Sequence, residues 1–321
     1  MKKKISLLLS VFLILSGCSA VSAVPSPTET ICISAEIFKP PIAICPEEPL
    51  SEPTVIDPLP YGSDTDNFGS QISENPAADP SLQIPQNLTS ITCIIADSTT
   101  DDTLLLADTE SSDIYRLNAK KDGHHILLDG QPADLSDLKD GMEITVSWEG
   151  FIKETWPAQF GSPVYISANT PENGVVLDLC GFYLQVLEDL WEMDSALNSD
   201  ISLIGLDLSN APGGLTDSQI AAISCRFQEL HGIEVINGTW EELCKQGYIN
   251  KEELYWEDGC HFSISTGDLC PTPTTDSPYP GFSFDAQKWR SGLGAYFFMD
   301  CTPRWADGTW SGYDIGGEAI S

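Results

Sequence analysis

The sequence predicts an α+β protein in which a small closed all-β barrel, residues 88–168, is followed by an α+β domain, residues 169–321, that ends in a long antiparallel hairpin. Three observations predict this arrangement. Short alternating apolar segments separated by polar turns occupy the first region, and helical periods with capping residues occupy the second. Near the end of the chain, Asp307-Gly308 divides two alternating segments, as in a tight hairpin.

The first eighteen residues have the three parts of a secretion signal. Three lysines at positions 2–4 precede an apolar run over residues 5–15, which is too short to span a bilayer as a mature helix. The junction Leu15-Ser16-Gly17-Cys18 resembles the lipobox of bacterial lipoproteins, whose cysteine is lipidated and becomes the new N-terminus. The resemblance implies loss of residues 1–17 and a membrane anchor on Cys18, at the outer face of the cytoplasmic membrane. The alternative is an ordinary signal in which Cys18 has no role.

Residues 18–87 are predicted to be a disordered tether. They contain 12 of the 22 prolines, together with acidic and small polar residues, and they show no sustained helical or strand period. Such a segment can hold the folded part of the protein away from the membrane surface.

The charge of the chain excludes one class of partner. With 48 acidic and 15 basic residues, the net charge is −33. A chain of this charge repels phosphate backbones, so we expect no nucleic-acid partner. Of the ten cysteines, nine remain once Cys18 is assigned to lipid, so at least one is unpaired, and their pairing stays open. Cys93 lies in phase with apolar neighbours and is expected to be buried. No CxxC pair supports a zinc site.

Short strands are predicted at residues 91–95, 103–106, 113–117, 125–128 and 143–148. Five or six strands at this spacing favour a small closed barrel. A capped turn over residues 134–141, closed by a glycine, comes before the last of them.

Two motifs in this region resemble the small OB-like barrels of uncharacterised Gram-positive lipoproteins. They are Leu138-Lys139-Asp140-Gly141 and Glu154-Thr155-Trp156-Pro157-Ala158-Gln159, in which Thr155 and Trp156 stand where Ser and Tyr are commoner. The segment over residues 288–296 likewise resembles the C-terminal domains of uncharacterised lipoproteins from Gram-positive gut bacteria. The resemblance implies an OB-like barrel and an α+β domain of unknown function, and it brings no established activity. OB folds often bind ligands on a strand face.

The second region alternates helices and strands. An amphipathic helix is predicted over residues 182–197 and a strand over residues 201–208. Thr216 with Gln219 and Thr239 with Glu242 form capping boxes for two more helices, which end at the glycines at positions 232 and 247. A further strand is predicted at residues 262–265.

The final hairpin supplies the candidate binding residues. If residues 288–301 form one extended strand, the even positions place Lys288, Arg290, Tyr296 and Phe298 on one face, beside two glycines. A small anionic or sugar-like ligand could lie against the glycines, paired by Arg290 and stacked on Tyr296. The alternative is that the glycines admit a crossing helix and the basic pair contacts local carboxylates.

The turn of this hairpin is predicted at Asp307-Gly308, which sets Trp305 directly opposite Trp310. The stretch over residues 307–318 also resembles a calcium loop, with Asp, Gly and Glu at the first, sixth and twelfth places, but the hairpin turn is the favoured interpretation.

No catalytic constellation, metal site or cofactor motif is found in the sequence, so we expect no cofactor. Cys260 and His261 are neighbours whose side chains would lie on opposite faces of a strand. The favoured hypothesis is a membrane-anchored, non-catalytic extracellular lipoprotein that binds a small ligand or an envelope protein through its C-terminal domain. The alternative is an extracellular hydrolase that acts on cell-wall or dietary polymer.

Overall fold

The computed structural model describes residues 88–99, 103–118, 124–161, 164–171, 174–267, 281–306 and 309–321. The predicted signal peptide, the lipidated Cys18 and the tether lie outside the described residues. So do Asp307 and Gly308, the predicted turn of the last hairpin. These predictions stay predictions.

The described chain is a mixed α and β fold with two sheets, as the sequence predicts at this level. The first sheet has nine strands and forms a half-barrel, in the order β5-β4-β9-β6-β1-β2-β3-β8-β7. Its strands are β1 (Thr89–Asp97), β2 (Thr103–Asp108), β3 (Ile114–Asn118), β4 (His124–Leu128), β5 (Gln131–Pro132), β6 (Glu143–Trp148), β7 (Ile152–Lys153), β8 (Ala158–Phe160) and β9 (Val164–Ala168). The five strands predicted from the alternating segments are all present.

One core cluster fills the inside of this sheet. The alternation of β1 places Cys93 and Ile95 in it, and both are fully buried, as expected for Cys93. Ile144 and Val146 of β6 and Ile166 of β9 complete its centre, because successive residues of a strand face opposite sides of the sheet.

Steric constraints explain why a glycine ends the Leu138-Lys139-Asp140-Gly141 motif. Gly141 has a φ of +83°, which a side chain disfavours. An ideal Cβ at Gly141 would also lie 2.7 Å from the backbone of Leu177 and of Asp178. Leu138 is buried in the core of the first sheet. The motif therefore closes a turn against the segment that leads to the first helix.

The second sheet has seven strands in the order β11-β10-β12-β13-β14-β15, with β16 paired to β14. Its strands are β10 (Leu203–Asn210), β11 (Glu234–Asn237), β12 (Gly259–Thr266), β13 (Phe284–Ser291), β14 (Gly294–Ala306), β15 (Thr309–Asp314) and β16 (Gly317–Ile320). Strand β10 is parallel to β11 and to β12, and the other pairs are antiparallel.

Three helices accompany this sheet: α1 (Leu179–Glu192), α2 (Asp217–His231) and α3 (Trp240–Gln246). The capping boxes predicted for α2 and α3 are both present, and each helix ends at a glycine in the left-handed conformation. Helix α1 begins three residues before the predicted start, because Asp178 caps it by accepting a hydrogen bond from the Gly181 amide at 2.8 Å. A separate 3-10 turn (Ser195–Asn198) forms the end of the predicted helix.

The two sheets share a hydrophobic cluster. Leu105, Ala107 and Ile114, from the outer face of the first sheet, pack in the same cluster as residues of α1 and α2. The predicted domain boundary stays a prediction.

The prediction of a single strand over residues 288–301 is wrong. The chain reverses at Gly292-Leu293, so that β13 and β14 pair antiparallel, and the Leu293 side chain is 91% exposed at the turn. The prediction for the last hairpin is confirmed in register: Trp305 lies opposite Trp310, and Ala306 lies opposite Thr309. The two indole rings meet edge to face, with centroids 4.7 Å apart, and are not stacked in parallel.

Candidate functional site

The four predicted binding residues do come together, although by a different route. Pairing of β13 with β14 places Lys288 opposite Tyr296 and Ala286 opposite Phe298, so all four side chains share one face of the hairpin. That face is turned inward, and Phe298 belongs to the core that includes α1.

Lys288 is fully buried and lies against the C-terminal end of α1. Its Nζ donates a hydrogen bond to the carbonyl oxygen of Trp191 at 3.0 Å and another to the carbonyl oxygen of Met193. The carbonyls at a helix end lack partners within the helix and favour a cation. Burial lowers the pKa of Lys288 from its ordinary value. Lys288 therefore serves as an internal cap for α1.

Arg290 has a similar role at the neighbouring loops. Its guanidinium donates to the carbonyl oxygens of Ser199 at 2.6 Å, Glu257 at 2.9 Å and Leu197 at 3.3 Å. An ideal Cβ at Gly294 would lie 3.0 Å from the Leu197 side chain, so this glycine admits a close neighbour. The partners of the basic pair are thus backbone carbonyls and not carboxylates, and the hydrogen bonds of both cations are made within the fold.

A different site lies in the first sheet, between the strands β2, β3, β7 and β8 and the start of β4. A half-open cavity of about 320 Å³ is found there, at the lower end of the range for small-molecule pockets. Its lining combines cationic, amide and apolar groups. The lining residues are Thr103, Arg116, Leu117, Asn118, His124, Lys153, Gln159 and Phe160.

Strand pairing places the polar residues of this cavity in rows. Lys153 of β7 lies opposite Gln159 of β8, and Gln159 lies opposite Arg116 of β3. Residues directly opposite one another on paired strands share a face and are about 5 Å apart from strand to strand. Thr103 and Asn118 form the adjacent pair along β2 and β3. The first row therefore presents an amide between two cations.

Arg116 also reaches helix α2. One of its terminal nitrogens contacts the Glu229 carboxylate at 2.5 Å, and Arg226 contacts the same carboxylate at 2.8 Å. Arg226 in turn contacts Asp97 at 2.7 Å. Burial by itself raises the pKa of Glu229, but hydrogen bonds from Arg226 and Arg116 and their positive charges bring it below its ordinary value. Glu229 is thus held as a carboxylate that fixes the position of Arg116.

Two buried nitrogen atoms of the cavity residues have no hydrogen-bond partner among the described residues. They are Nε of Arg116 and Nδ1 of His124. His124 Nε2 lies 2.6 Å from the carbonyl oxygen of Asn118, to which it must donate a proton. Nδ1 is then an acceptor in the neutral ring and a donor in the protonated ring. Arg116 also hydrogen-bonds the Cys225 thiol. Buried polar atoms normally have partners, so the atom that a polar ligand in this cavity would satisfy is Nδ1 of His124.

The described cysteines provide no thiolate. All six, Cys93, Cys180, Cys225, Cys244, Cys260 and Cys301, are free, so the prediction that at least one is unpaired is confirmed. Burial raises the pKa of Cys260 to about 12, with smaller opposing effects from Lys288 and Arg290, and burial raises the pKa of Cys301 to about 12 as well. At neutral pH these thiols are protonated and weakly nucleophilic.

His261, next to Cys260, is buried on the other face of β12. It lies beside Gly205, whose ideal Cβ would be 3.0 Å from the His261 ring, whereas Cys260 packs in the core with α1 and α2. The prediction that these two side chains point to opposite faces is confirmed. Burial lowers the pKa of His261, which favours the neutral ring.

Comparison with protein-family models, curated proteins and solved structures gives no match for this chain. Over the described ranges, no helix is both long and apolar enough to cross a membrane. The same residues include no cluster of three or more His, Cys, Asp or Glu side chains suited to a metal ion.

Sequence reasoning did not find the cavity residues, because they come from five strands spread over residues 103–160. One signal was present. The motif over residues 154–159 ends at Gln159 and begins directly after Lys153, so it connects two of the three residues of the row.

Proposed function

We propose that the protein is a lipid-anchored, non-catalytic extracellular binding protein and that the cavity of the first sheet holds a small ligand with one negative charge. The lipobox-like junction at Cys18 supports the anchor, and the membrane is then a partner through that lipid. The observation that carries the binding proposal is the row Lys153-Gln159-Arg116 along the cavity wall.

The positive charge of this row distinguishes it from the rest of an acidic chain. Two of the lining residues are cationic side chains in a protein with only 15 lysines and arginines and a net charge of −33. Hydrogen bonds between cations and carboxylates are shorter and stronger than neutral ones and contribute about 1.5–3 kcal/mol each. Glu229, beside Arg116, opposes a second negative charge. A monoanion therefore suits the site better than a multiply charged ligand.

The OB-like barrel is part of the same proposal. The first sheet combines a half-barrel, a core on its inner face and a cavity bounded by β2, β3, β4, β7 and β8. OB-fold proteins commonly bind ligands against a strand face, which supports placing the binding site on this sheet. The inward orientation of Lys288 and Arg290 supports the same choice over the C-terminal hairpin.

Ligand titration followed by NMR chemical shifts tests the proposal. We expect the chain from residue 19 onward, which lacks the lipidated cysteine, to bind acetate, with shifts concentrated at Lys153, Gln159 and Arg116. The Lys153→Gln variant should weaken binding by about tenfold, since it removes one charge-assisted hydrogen bond. Lys139→Gln is the matched control, because Lys139 is an exposed lysine of the same region that does not line the cavity. Equal weakening by both variants, or no binding of acetate, would contradict the proposal.

A further inference from the structure

The loop beside the cavity exposes a large aromatic side chain. Residues 154–157 connect β7 to β8, and Trp156 within this loop is 65% exposed. Lys153 and Gln159, both cavity residues, form the strand pair next to the loop. Each is three residues from Trp156, so its Cα lies within about 11 Å of the Trp156 Cα.

Contacts of the neighbouring residues restrain the backbone at Trp156. The Thr155 hydroxyl donates a hydrogen bond to the Pro157 carbonyl oxygen at 2.7 Å, which bridges the residues on either side of Trp156. Pro157 is buried, so the loop is attached to the sheet directly beside the exposed indole. These contacts restrain the backbone on both sides of Trp156, which reduces the entropic cost of ordering the loop when a ligand covers the indole.

A second exposed aromatic lies at the other end of the same short strand. Phe151 is 68% exposed, and its carbonyl accepts a hydrogen bond from the Gly161 amide, which extends the pairing of β7 with β8. Phe151 and Lys153 are two residues apart, the spacing at which side chains share a strand face. The edge of the sheet thus has two exposed aromatic side chains on either side of a cavity lysine.

Resting on the proposed function, we infer that the ligand is an anionic sugar, a pyranose with a single carboxylate, whose ring packs on Trp156 while its carboxylate pairs with Lys153 and Arg116. Each part of such a ligand has a counterpart in the site. A pyranose ring has an apolar C–H face that matches an exposed indole, and Trp offers a large rigid surface for this contact. Hydroxyl groups match the Gln159 amide and, in its neutral form, His124 Nδ1.

The alternatives fit fewer of these groups. A simple small anion uses the two cations and leaves both aromatics uncovered. A neutral sugar uses the indole and the amide and leaves Lys153 without an anion, although Arg116 already pairs with Glu229. A polyanion meets the opposing charge of Glu229 and of the chain as a whole.

The test compares glucuronate, glucose and acetate on the same chain from residue 19 onward by NMR titration. We expect glucuronate to bind at least tenfold more tightly than glucose or acetate. Trp156→Ala should weaken glucuronate binding by about threefold to tenfold and leave acetate binding unchanged, since an aromatic contact contributes about 0.5–1.5 kcal/mol beyond burial. Trp156→Phe should recover part of the loss. Leu293→Ala, at the exposed hairpin tip, is the control for loss of an exposed apolar side chain.

Two different failures are distinguishable. If acetate and glucuronate bind equally well and Trp156→Ala changes neither, the sugar inference is wrong while the anion site stands. If no anion binds to the wild-type chain, the proposed function fails and the inference fails with it. Binding of glucose as tight as that of glucuronate would also overturn the inference, because the carboxylate of the ligand would then contribute nothing to binding.

Discussion

Replacing Asp178 with Asn should make the protein more stable at neutral pH. Asp178 caps α1 through the Gly181 amide, and it lies where the turn at Gly141 meets the start of that helix. Burial raises its pKa to about 6; the Gly181 hydrogen bond opposes this effect, and the negative charges of Asp140 and Asp97 add to it. The fold therefore holds a carboxylate at pH 7 in a place that favours the neutral acid.

The magnitude follows from linkage. A rise from 3.8 to about 6 corresponds to about 3 kcal/mol at 1.36 kcal/mol per pKa unit, and partial exposure reduces this to about 1–3 kcal/mol. The pKa of Asp178 is higher in the folded state than in the unfolded state, so its protonated form stabilises the fold. This contribution of Asp178 is complete below about pH 4 and is lost as the pH rises through about 6. Asn keeps the capping oxygen and never ionises, so Asp178→Asn should avoid that loss.

Urea unfolding at pH 4.5 and pH 7.5 measures the effect. We expect Asp178→Asn to raise the free energy of unfolding by about 1–3 kcal/mol at pH 7.5 and by much less at pH 4.5. Asp113→Asn is the control, because Asp113 is exposed and loses the same charge. Subtracting the change in unfolding free energy of Asp113→Asn from that of Asp178→Asn at each pH removes the general effect of losing one negative charge in an acidic protein. If Asp178→Asn stabilises the protein equally at both pH values, or destabilises it at pH 7.5, the burial argument is refuted.

Three further predictions concern the turn glycine, the anchor and the tether. Gly141→Ala should lower the free energy of unfolding, measured in urea, by about 2–4 kcal/mol, since a Cβ there meets the backbone of residues 177–178. The control Gly130→Ala should lower it by only about 1 kcal/mol, because Gly130 has a positive φ but open space around it. Cys18→Ala should abolish labelling by radioactive palmitate, and equal labelling of wild type and variant would rule out this anchor. Deletion of residues 19–87 should leave cooperative unfolding of the remainder intact, as calorimetry can show, and loss of that transition would mean that the segment belongs to the fold.

Several local features were predictable because neighbouring residues determine them. Thr216 and Gln219 cap α2 reciprocally within one turn, and Gly232 ends it in a conformation that other residues disfavour. The register that opposes Trp305 to Trp310 is the one that the Asp307-Gly308 dipeptide predicts.

The reversal at Gly292-Leu293 was not predictable from alternation. Lys288 pairs with Tyr296, so the chain folds back without changing which positions share a face. A single strand and a hairpin then give the same periodic pattern. This is why the four predicted residues share a face although the strand that was expected to align them does not exist.

By itself, the sequence determined the mixed fold class, the capping boxes of α2 and α3, the glycines that end these helices and the acidic charge of this protein, because each depends on composition or on residues within a few positions of one another. Only the tertiary structure decided that the face of Lys288 is turned onto the end of α1 and that Lys153, Gln159 and Arg116 stand in one row. Both outcomes depend on which distant strands and helices pack together. That choice is made by the burial of whole apolar faces, and no short stretch of sequence contains it.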